Sequence, residues 1–493
     1  MESPSQRELK LQSILEVAKA MTAERDLDLL LPLILTQASR VVEADRCSLF
    51  ILDRDSNELW SKVAQGAEGE IRLELGDGIA GTVAATGEVI NIPDAYADDR
   101  FNSSFDATNH YRTRNVLCVP MRDAAGDVTG VIQALNKRAG HFTEEDAELL
   151  MALGGQAAVA IENAVLHDEI QRLFEGFVSA SVVAIESRDP TTAGHSSRVA
   201  SLTVGLANAL EHVSTGAYAG TRFGGQEIQE LRYASLLHDF GKVGVREPVL
   251  VKANKLYPHE LELLQARFEL ARQHRQLESY RRRLDAVKLR GANALPEIEA
   301  EENAWLSREF EELDQVLEFI LSCNRPTVLA QGGFERLEEI SRMDFRTSRG
   351  EARPLLTSDE VKVLSIPKGS LSAEERVEIE SHVEHTFRFL TQIPWTRTLS
   401  RVPEIAYAHH EKLNGNGYPR AMPAREIPVQ SKMMTISDIF DALTASDRPY
   451  KKAVPMPLAL DILHQEAQAG QIDGELLRIF VAAEIPRRAL GLE

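Results

Sequence analysis

The chain has 493 residues and a formal net charge of −20, with 55 basic against 75 acidic residues. That balance argues against a general nucleic-acid or membrane-surface binder, so an anionic substrate would need a local positive pocket or metal ions. The length exceeds what one core usually serves, so about two or three domains are expected.

Residues 7–24 read as an amphipathic helix, with Leu9, Leu11, Ile14, Leu15, Val17 and Ala18 on its apolar side. The N-terminus lacks an apolar signal core, and no apolar run approaches the ~20 residues of a membrane span, so a cytoplasmic protein is expected. Asp26 opens a second helix, DLDLLLPLILTQASRVV. Alternating runs follow, RCSLFILD, ELWSKVAQG and EIRLELGDG, which predict strands. GDGIAGTVAATGEVINIPD reads as turn, short helix, turn, strand. NVLCVPMRD and VTGVIQALNK read as paired strands joined by an AAGD turn. Thr143 then caps a helix whose first turn holds Glu144, Glu145 and Asp146, which favour its dipole. These elements describe an α+β domain, an antiparallel sheet flanked by helices. The cysteines, Cys47, Cys118 and Cys323, make no framework and are expected as buried thiols.

From Thr143 to about Ser187 no proline interrupts the helix, although Gly154, Gly155 and Gly176 weaken it. Such a helix would leave the first domain and enter the second, either as a signalling rod or as a rigid spacer. After Pro190 strand signals stop, and residues 190–252 and 370–485 read as helices with short loops. Residues from about 255 to 365 differ. Their dense charge and spaced apolar residues predict two long helices turning around RGANALP, an inserted hairpin. It reads as a solvated hairpin or dimer contact, or as a regulatory lid.

Histidines and aspartates recur in motifs. His195 lies in TTAGHSSRV, His238 and Asp239 in LLHDFGK, His382 in EERVEIESHV, His409 and His410 in AHHEKLNGNGYP, and Asp438 in ISDIFDAL. Nitrogen and oxygen ligands from several segments are what a two-metal hydrolytic site needs. A lone HD pair carries no weight, but its companions change that. His382 follows a capping box formed by Ser372 and Glu375. Asp441 lies three residues after Asp438 and shares its helix face.

Taken in order, GHSSRV, LLHDFGKVGV, LSAEERVEIESHV, HHEKLNGNGYP and SDIFDALTASDRPYKKA resemble the motifs of the HD-GYP family within the HD superfamily of metal phosphohydrolases. The resemblance implies that His195, His238, Asp239 and Asp438 hold one divalent metal, iron or manganese. His382, His409 and His410 would hold a second, with Asp239 bridging. It also implies contact of Lys242 with a phosphate, a role for Asp441 in holding Lys242 or protonating the leaving oxygen, and substrate contacts from Gly417, Tyr418, Pro419, Arg448 and Lys451. Two departures stand out. Thr191 occupies the place of a glutamate that serves a third metal in some members, so two metals are expected. Asn414 replaces the usual aspartate of the loop after the histidine pair.

GDGIAGTVAATGEVINIPDAYADDRFN, RTRNVLCVPMRD and GVIQALNK resemble a GAF domain. An incomplete nucleotide-binding signature remains in Asn136, Lys137, Phe142 and Asp146. It implies a small-molecule or cyclic-nucleotide ligand, with Lys137 and Asp146 either closing its pocket or forming a structural pair. The expected organisation is a GAF domain at 10–165, a linker helix at 166–189 and an all-α HD-GYP domain at 190–485, with a helical insertion at about 256–365. A cytoplasmic homodimer that hydrolyses cyclic di-GMP to linear pGpG, or on to GMP, follows from the resemblance, with no nucleic-acid or membrane partner. The alternatives are hydrolysis of another cyclic dinucleotide or nucleotide, or a catalytically inactive nucleotide-binding scaffold.

Overall fold

The computed structural model describes residues 19–54, 56–61, 71–108, 110–189, 193–328, 332–347, 349–445 and 453–491. Most of the N-terminal helix expected at 7–24 lies outside them. The chain divides into two compact units, Met1–Gly176 and Phe177–Glu493.

The first unit is built on a six-stranded antiparallel sheet of β1 (Ala44–Asp53), β2 (Glu58–Ser61), β3 (Ile71–Glu74), β4 (Ile90–Ile92), β5 (Val116–Arg122) and β6 (Val128–Lys137), in the order β3-β2-β1-β6-β5-β4. Successive side chains on a strand point to opposite faces, and both faces are buried here. Cys47 and Leu49 of β1, Leu117, Val119 and Met121 of β5, and Ile132 and Ala134 of β6 share one core. Phe50, Val116, Cys118 and Val131 belong to the other. The helix Leu27–Val41 and the start of the helix Glu144–Arg188 cover the first face. Gly78–Thr86 covers the second through Ile79, Ala80 and Val83. Asp26 caps its helix by accepting from the Asp28 amide at 2.8 Å. At the β5–β6 turn Asp123 accepts from the amides of Ala125 and Asp127, with Gly126 at positive φ. All three cysteines are buried thiols outside any disulfide.

The helix Glu144–Arg188 runs unbroken through the boundary between the units. Its apolar stretch qualifies the reading that nothing approaches a membrane span. An 18-residue window reaches mean hydropathy 1.5, with 44% of it buried. A core helix passes the same test, so length and composition alone decide little.

The second unit is helical. Its helices His195–Leu210, Gly225–Leu237 and Val429–Thr444 pack together, and His382–Leu390 packs on Val402–Tyr407 and on the tight turn Phe240–Gly244. The insertion is more than a hairpin. Helices Pro258–Arg290 and Leu295–Asn324 turn at Gly291, then short elements return to Ser358–Leu364. Leu264, Phe268, Val316, Ile320, Leu337, Phe345 and Leu364 give this region a core of its own. Among the described residues the expectation of helices alone fails at one place, where Asp344–Arg346 and Ala352–Pro354 pair as antiparallel strands. Three-residue strands are too short to leave an alternating pattern in sequence. At the base, Lys252 donates to both Glu375 oxygens at 2.8 Å, and Tyr257 donates to Glu375 at 2.5 Å. Sequence therefore foresaw the α+β first domain and the helical second one.

Candidate metal centre

Each of the seven candidate ligands sits at a helix end or on the inner face of a helix. His195 is the first residue of its helix, His238 ends the helix Gly225–Leu237, and His382 begins His382–Leu390. His409 and His410 follow Val402–Tyr407, and Asp438 lies within Val429–Thr444. Folding brings these five segments to one buried place. His195, His238 and Asp239 present ligand atoms within 4.8 Å of one another, as do His382, His409 and His410. His238, His409 and Asp438 form a third such group, which joins the other two.

Three histidines are set by the same device. Nδ1 of His238 lies 2.7 Å from the Ser235 carbonyl, that of His382 2.5 Å from Ile379, and that of His409 2.6 Å from Ala406. A carbonyl only accepts, so each Nδ1 carries the proton and each Nε2 keeps its lone pair. Those three Nε2 atoms are buried and have no hydrogen-bond partner. Leaving three buried acceptors unmatched would cost about 1–3 kcal/mol each. Divalent cations would satisfy them, and imidazole with carboxylate is a suitable donor set for iron or manganese. The residues therefore fit metal ions.

Asp239 stands between the groups. Its Oδ1 is 3.4 Å from His382 Nε2, and its Oδ2 is 3.6 Å from His195 Nε2 and 3.5 Å from His238 Nε2. A carboxylate so placed can serve two cations at once. Lys242 reaches Asp239 Oδ2 at 2.8 Å and Asp189 at 3.5 Å. Burial opposes charge on Asp239, yet Lys242 and the histidines hold its pKa well below the usual carboxylate range. Burial likewise disfavours a charged His409 and, with His238 and His382 nearby, pushes its pKa down to about 3. His382 and His410 are also lowered, chiefly by burial. His195 differs. Burial disfavours its charge, but hydrogen bonds to Asp438 and Asp441 prevail and push its pKa up to about 9.

Asp441 does not hold Lys242. Its Oδ2 accepts from His195 Nδ1 at 2.8 Å, and Arg198 clamps both its oxygens at 2.6 and 3.0 Å. It orients a candidate ligand. Sequence reading passed over Arg198, whose signal was its place one turn after His195 in GHSSRV. It also passed over Thr386, which donates to the His238 carbonyl and accepts from the Gly241 amide. A side chain at Gly241 would collide with the backbone of His382 and Thr386. Gly241→Ala should therefore destabilise the protein by about 1–3 kcal/mol, read as a lower denaturant midpoint.

Of the candidate substrate contacts, Tyr418 reaches the site, its ring centroid 4.7 Å from that of His410. Buried Glu411 pins its loop by accepting from the amides of Arg420 and Met422 at 2.8 Å. Gly417 packs on the backbone of Glu411 and Lys412, where no side chain fits. Pro419 follows in the same loop, and Asn414 accepts from the Asn416 amide in its turn. Thr191, Arg448 and Lys451 lie outside the described residues.

In the first unit a cavity of about 140 Å³ is lined by Arg46, Phe50, Ile79, Phe101, Tyr111 and Gln133, among others. None of Asn136, Lys137, Phe142 and Asp146 lines it among the described residues. Asn136 accepts from the Arg114 amide and donates to Tyr111 and the Arg112 carbonyl. Lys137 pairs with Asp146 at 2.7 Å and donates to the Val42 carbonyl, while Phe142 belongs to the core on the helix-covered face. The ion pair exists, but it ties the last strand to the long helix instead of closing the cavity. Alternation alone would set Lys137 on the cavity side with Gln133 and Leu135, but Asn136 at φ 56° interrupts the strand and turns Lys137 towards Val42 and Asp146.

Comparison with known proteins agrees with this division. A family model described as GAF domain matches residues 26–161, and one described as HD domain matches residues 357–476. The HD match starts beyond most of the insertion, so His195, His238 and Asp239 fall outside it. A probable 3',5'-cyclic phosphodiesterase, pde-5, of Caenorhabditis elegans is 32% identical over 189 residues, 35% of this chain and 26% of the relative. The dual 3',5'-cyclic-AMP and -GMP phosphodiesterase 11A of Takifugu rubripes is 39% identical over 166 residues, 31% of this chain and 18% of the relative. The chain thus spans about a quarter or less of these curated relatives. Among solved structures, the GAF domain of a phosphoenolpyruvate-protein phosphotransferase from Coxiella burnetii is 24% identical. It covers 32% of this chain and 96% of that one, with a TM-score of 0.30. The chain carries a GAF domain followed by an HD domain, and the helical unit that contains the latter holds histidine and aspartate clusters suited to metal ions.

Proposed function

We propose that this protein is a metal-dependent phosphodiesterase of the HD-GYP type that opens cyclic di-GMP to linear pGpG, under control of its GAF domain. The observation that carries the reading is the trio of buried, partnerless Nε2 atoms facing Asp239 and Asp438. Two divalent ions, iron or manganese, would supply the Lewis acidity and the activated water that phosphodiester hydrolysis needs. His195, His238, Asp239 and Asp438 are assigned to one ion, and His382, His409 and His410 to the other, with Asp239 shared. Lys242, now on Asp239 Oδ2, is one hydrogen bond from the reaction centre and can turn to a phosphate oxygen. Tyr418 offers an aromatic face over His410 against which a base can stack.

Regulation is assigned to the cavity over the GAF sheet. Arg46, Gln133 and Tyr111 supply polar contacts there and Phe50 and Phe101 apolar ones, a lining suited to a small polar aromatic ligand. The helix Glu144–Arg188 is the covalent path from that domain to the HD domain. Leu166, Ile170, Leu173 and Phe177 alternate in steps of four and three along it and are exposed, the spacing of a two-helix seam, which favours a homodimer.

The names of the relatives favour a second reading, cleavage of a 3',5'-cyclic mononucleotide. One experiment separates the two. Protein loaded with manganese, or anaerobically with iron, is offered cyclic di-GMP, cyclic AMP and cyclic GMP. Production of pGpG by wild type, abolished by His238→Ala with Asp239→Ala, is expected. Cleavage of the mononucleotides alone, or no cleavage by fully loaded protein, would overturn the proposal.

A further inference from the structure

The inserted hairpin carries an apolar row that its own fold does not use. On the helix Pro258–Arg290, Leu264, Phe268 and Ala271 turn into the insertion's core. Leu263, Leu270, Leu277 and Leu284 recur every seventh residue on a different face and are 64%, 54%, 52% and 58% exposed. Tyr280, also exposed, lies three residues after Leu277 and widens the row. A straight helix drifts by about 20° over seven residues, so a strict seven-residue row suits a second helix wound around it. The helix is already ordered by its hairpin, so pairing incurs little of the ordering cost that limits isolated helices.

Charge identifies the occupant and the direction. Glu260, Glu262 and Glu269 flank the row near the start of the helix, and Arg281, Arg283, Lys288 and Arg290 flank it near the end. A parallel pair would gather the acidic ends together and the basic ends together. An antiparallel pair of identical helices sets Glu260, Glu262 and Glu269 against Lys288, Arg290 and Arg283 of the second copy. In the same register Leu263, Leu270 and Leu284 face Val287, Tyr280 and Ala266. Such a surface is complementary to itself about a two-fold axis. Within one chain Lys288 pairs with Asp285, Arg290 with Glu297 and Glu301, and Arg283 with Asn303. The ion pairs among these are exposed and hold their partners weakly, so they can be shared across the pair.

We propose that the insertion is a self-association module, in which the Leu263–Leu270–Leu277–Leu284 row pairs antiparallel with the same row of a second copy. This contact is independent of the catalytic reading and of any seam on the long helix.

Antiparallel pairing places Gln276 beside its own counterpart and keeps the two copies of Glu262 far apart. Full-length Gln276→Cys should form a disulfide-linked dimer under mild oxidation, while full-length Glu262→Cys should not. The native thiols do not compete, since Cys47, Cys118 and Cys323 are buried. Adding Leu270→Glu and Leu277→Glu to Gln276→Cys should lower the cross-linked fraction at limiting protein concentration by about tenfold, the effect of a modest loss of affinity. These leucines lie outside the chain's own core, so the thermal unfolding midpoint should be retained. Cross-linking at both cysteine positions would overturn the antiparallel pairing. Absence of cross-linking at Gln276→Cys, or its persistence after the leucine replacements in protein with an unchanged midpoint, would overturn the module.

Discussion

On the proposed phosphodiesterase reading, Asp239→Asn is expected to lower turnover of cyclic di-GMP by at least about 10³-fold, a loss of the size seen when a central catalytic group is removed. The reason is geometric. Oδ1 faces His382 and Oδ2 faces His195, His238 and Lys242. An asparagine keeps the shape but offers one acceptor oxygen, with an NH₂ group on its other side. It cannot be shared between two cations, and its NH₂ would point at a lone pair or at the Lys242 ammonium. Metal content measured on the purified variant should fall together with activity. Burial makes charge on Lys242 unfavourable, and its pairing with Asp239 and Asp189 outweighs this. The variant leaves Asp189 as the carboxylate within reach, so its metal-free form should also melt below metal-free wild type. Full turnover with one metal per chain would refute the shared role of Asp239.

Cation binding should release about one proton at pH 7, and affinity should rise about tenfold per pH unit up to roughly pH 9. The sign follows from His195. Without metal its pKa is pushed up to about 9, so at neutral pH it carries a proton that a cation must displace. His409, held down to about 3, and Asp438 and Asp239, held below the carboxylate range, have none to give. Calorimetry in buffers of different ionisation enthalpy measures the proton count. Asp441 supplies part of this behaviour, since it accepts from His195 Nδ1 and is itself clamped by Arg198. Asp441→Ala removes that acceptor and should weaken cation binding about 10–100-fold. Asp441→Asn keeps an acceptor but not the charge, so it should restore much of the affinity while releasing fewer protons at pH 7. Equal proton release by wild type and Asp441→Asn would show that Asp441 acts by packing alone.

Much of the molecule was legible before folding. The alternating run of β1 and the β-rich runs of β5 and β6 announced strands of a sheet flanked by helices, and the folded chain showed both faces buried. The long helix showed itself by the absence of proline, and the caps at Asp26 and Ser372 by their residue types and spacing. The candidate ligands were named from their motifs. What the motifs lacked was any account of the groups around them. Arg198 and Thr386 are ordinary residues until a distant segment makes them partners of Asp441 and His238.

The sequence by itself determined the chemistry on offer: which side chains can ligate, where helices and strands begin, and that a charged, leucine-spaced hairpin interrupts the second domain. Tertiary structure alone decided which atoms are available. It brought Asp239 and His382 together across the insertion, fixed the proton of three histidines on Nδ1, and left their Nε2 atoms buried without partners. It moved Lys137 and Asp146 away from the GAF cavity and set Asp441 behind His195. The division has one physical cause. Periodicity and capping act within a few residues and are written locally, whereas burial and hydrogen-bond satisfaction depend on neighbours that only the folded chain supplies.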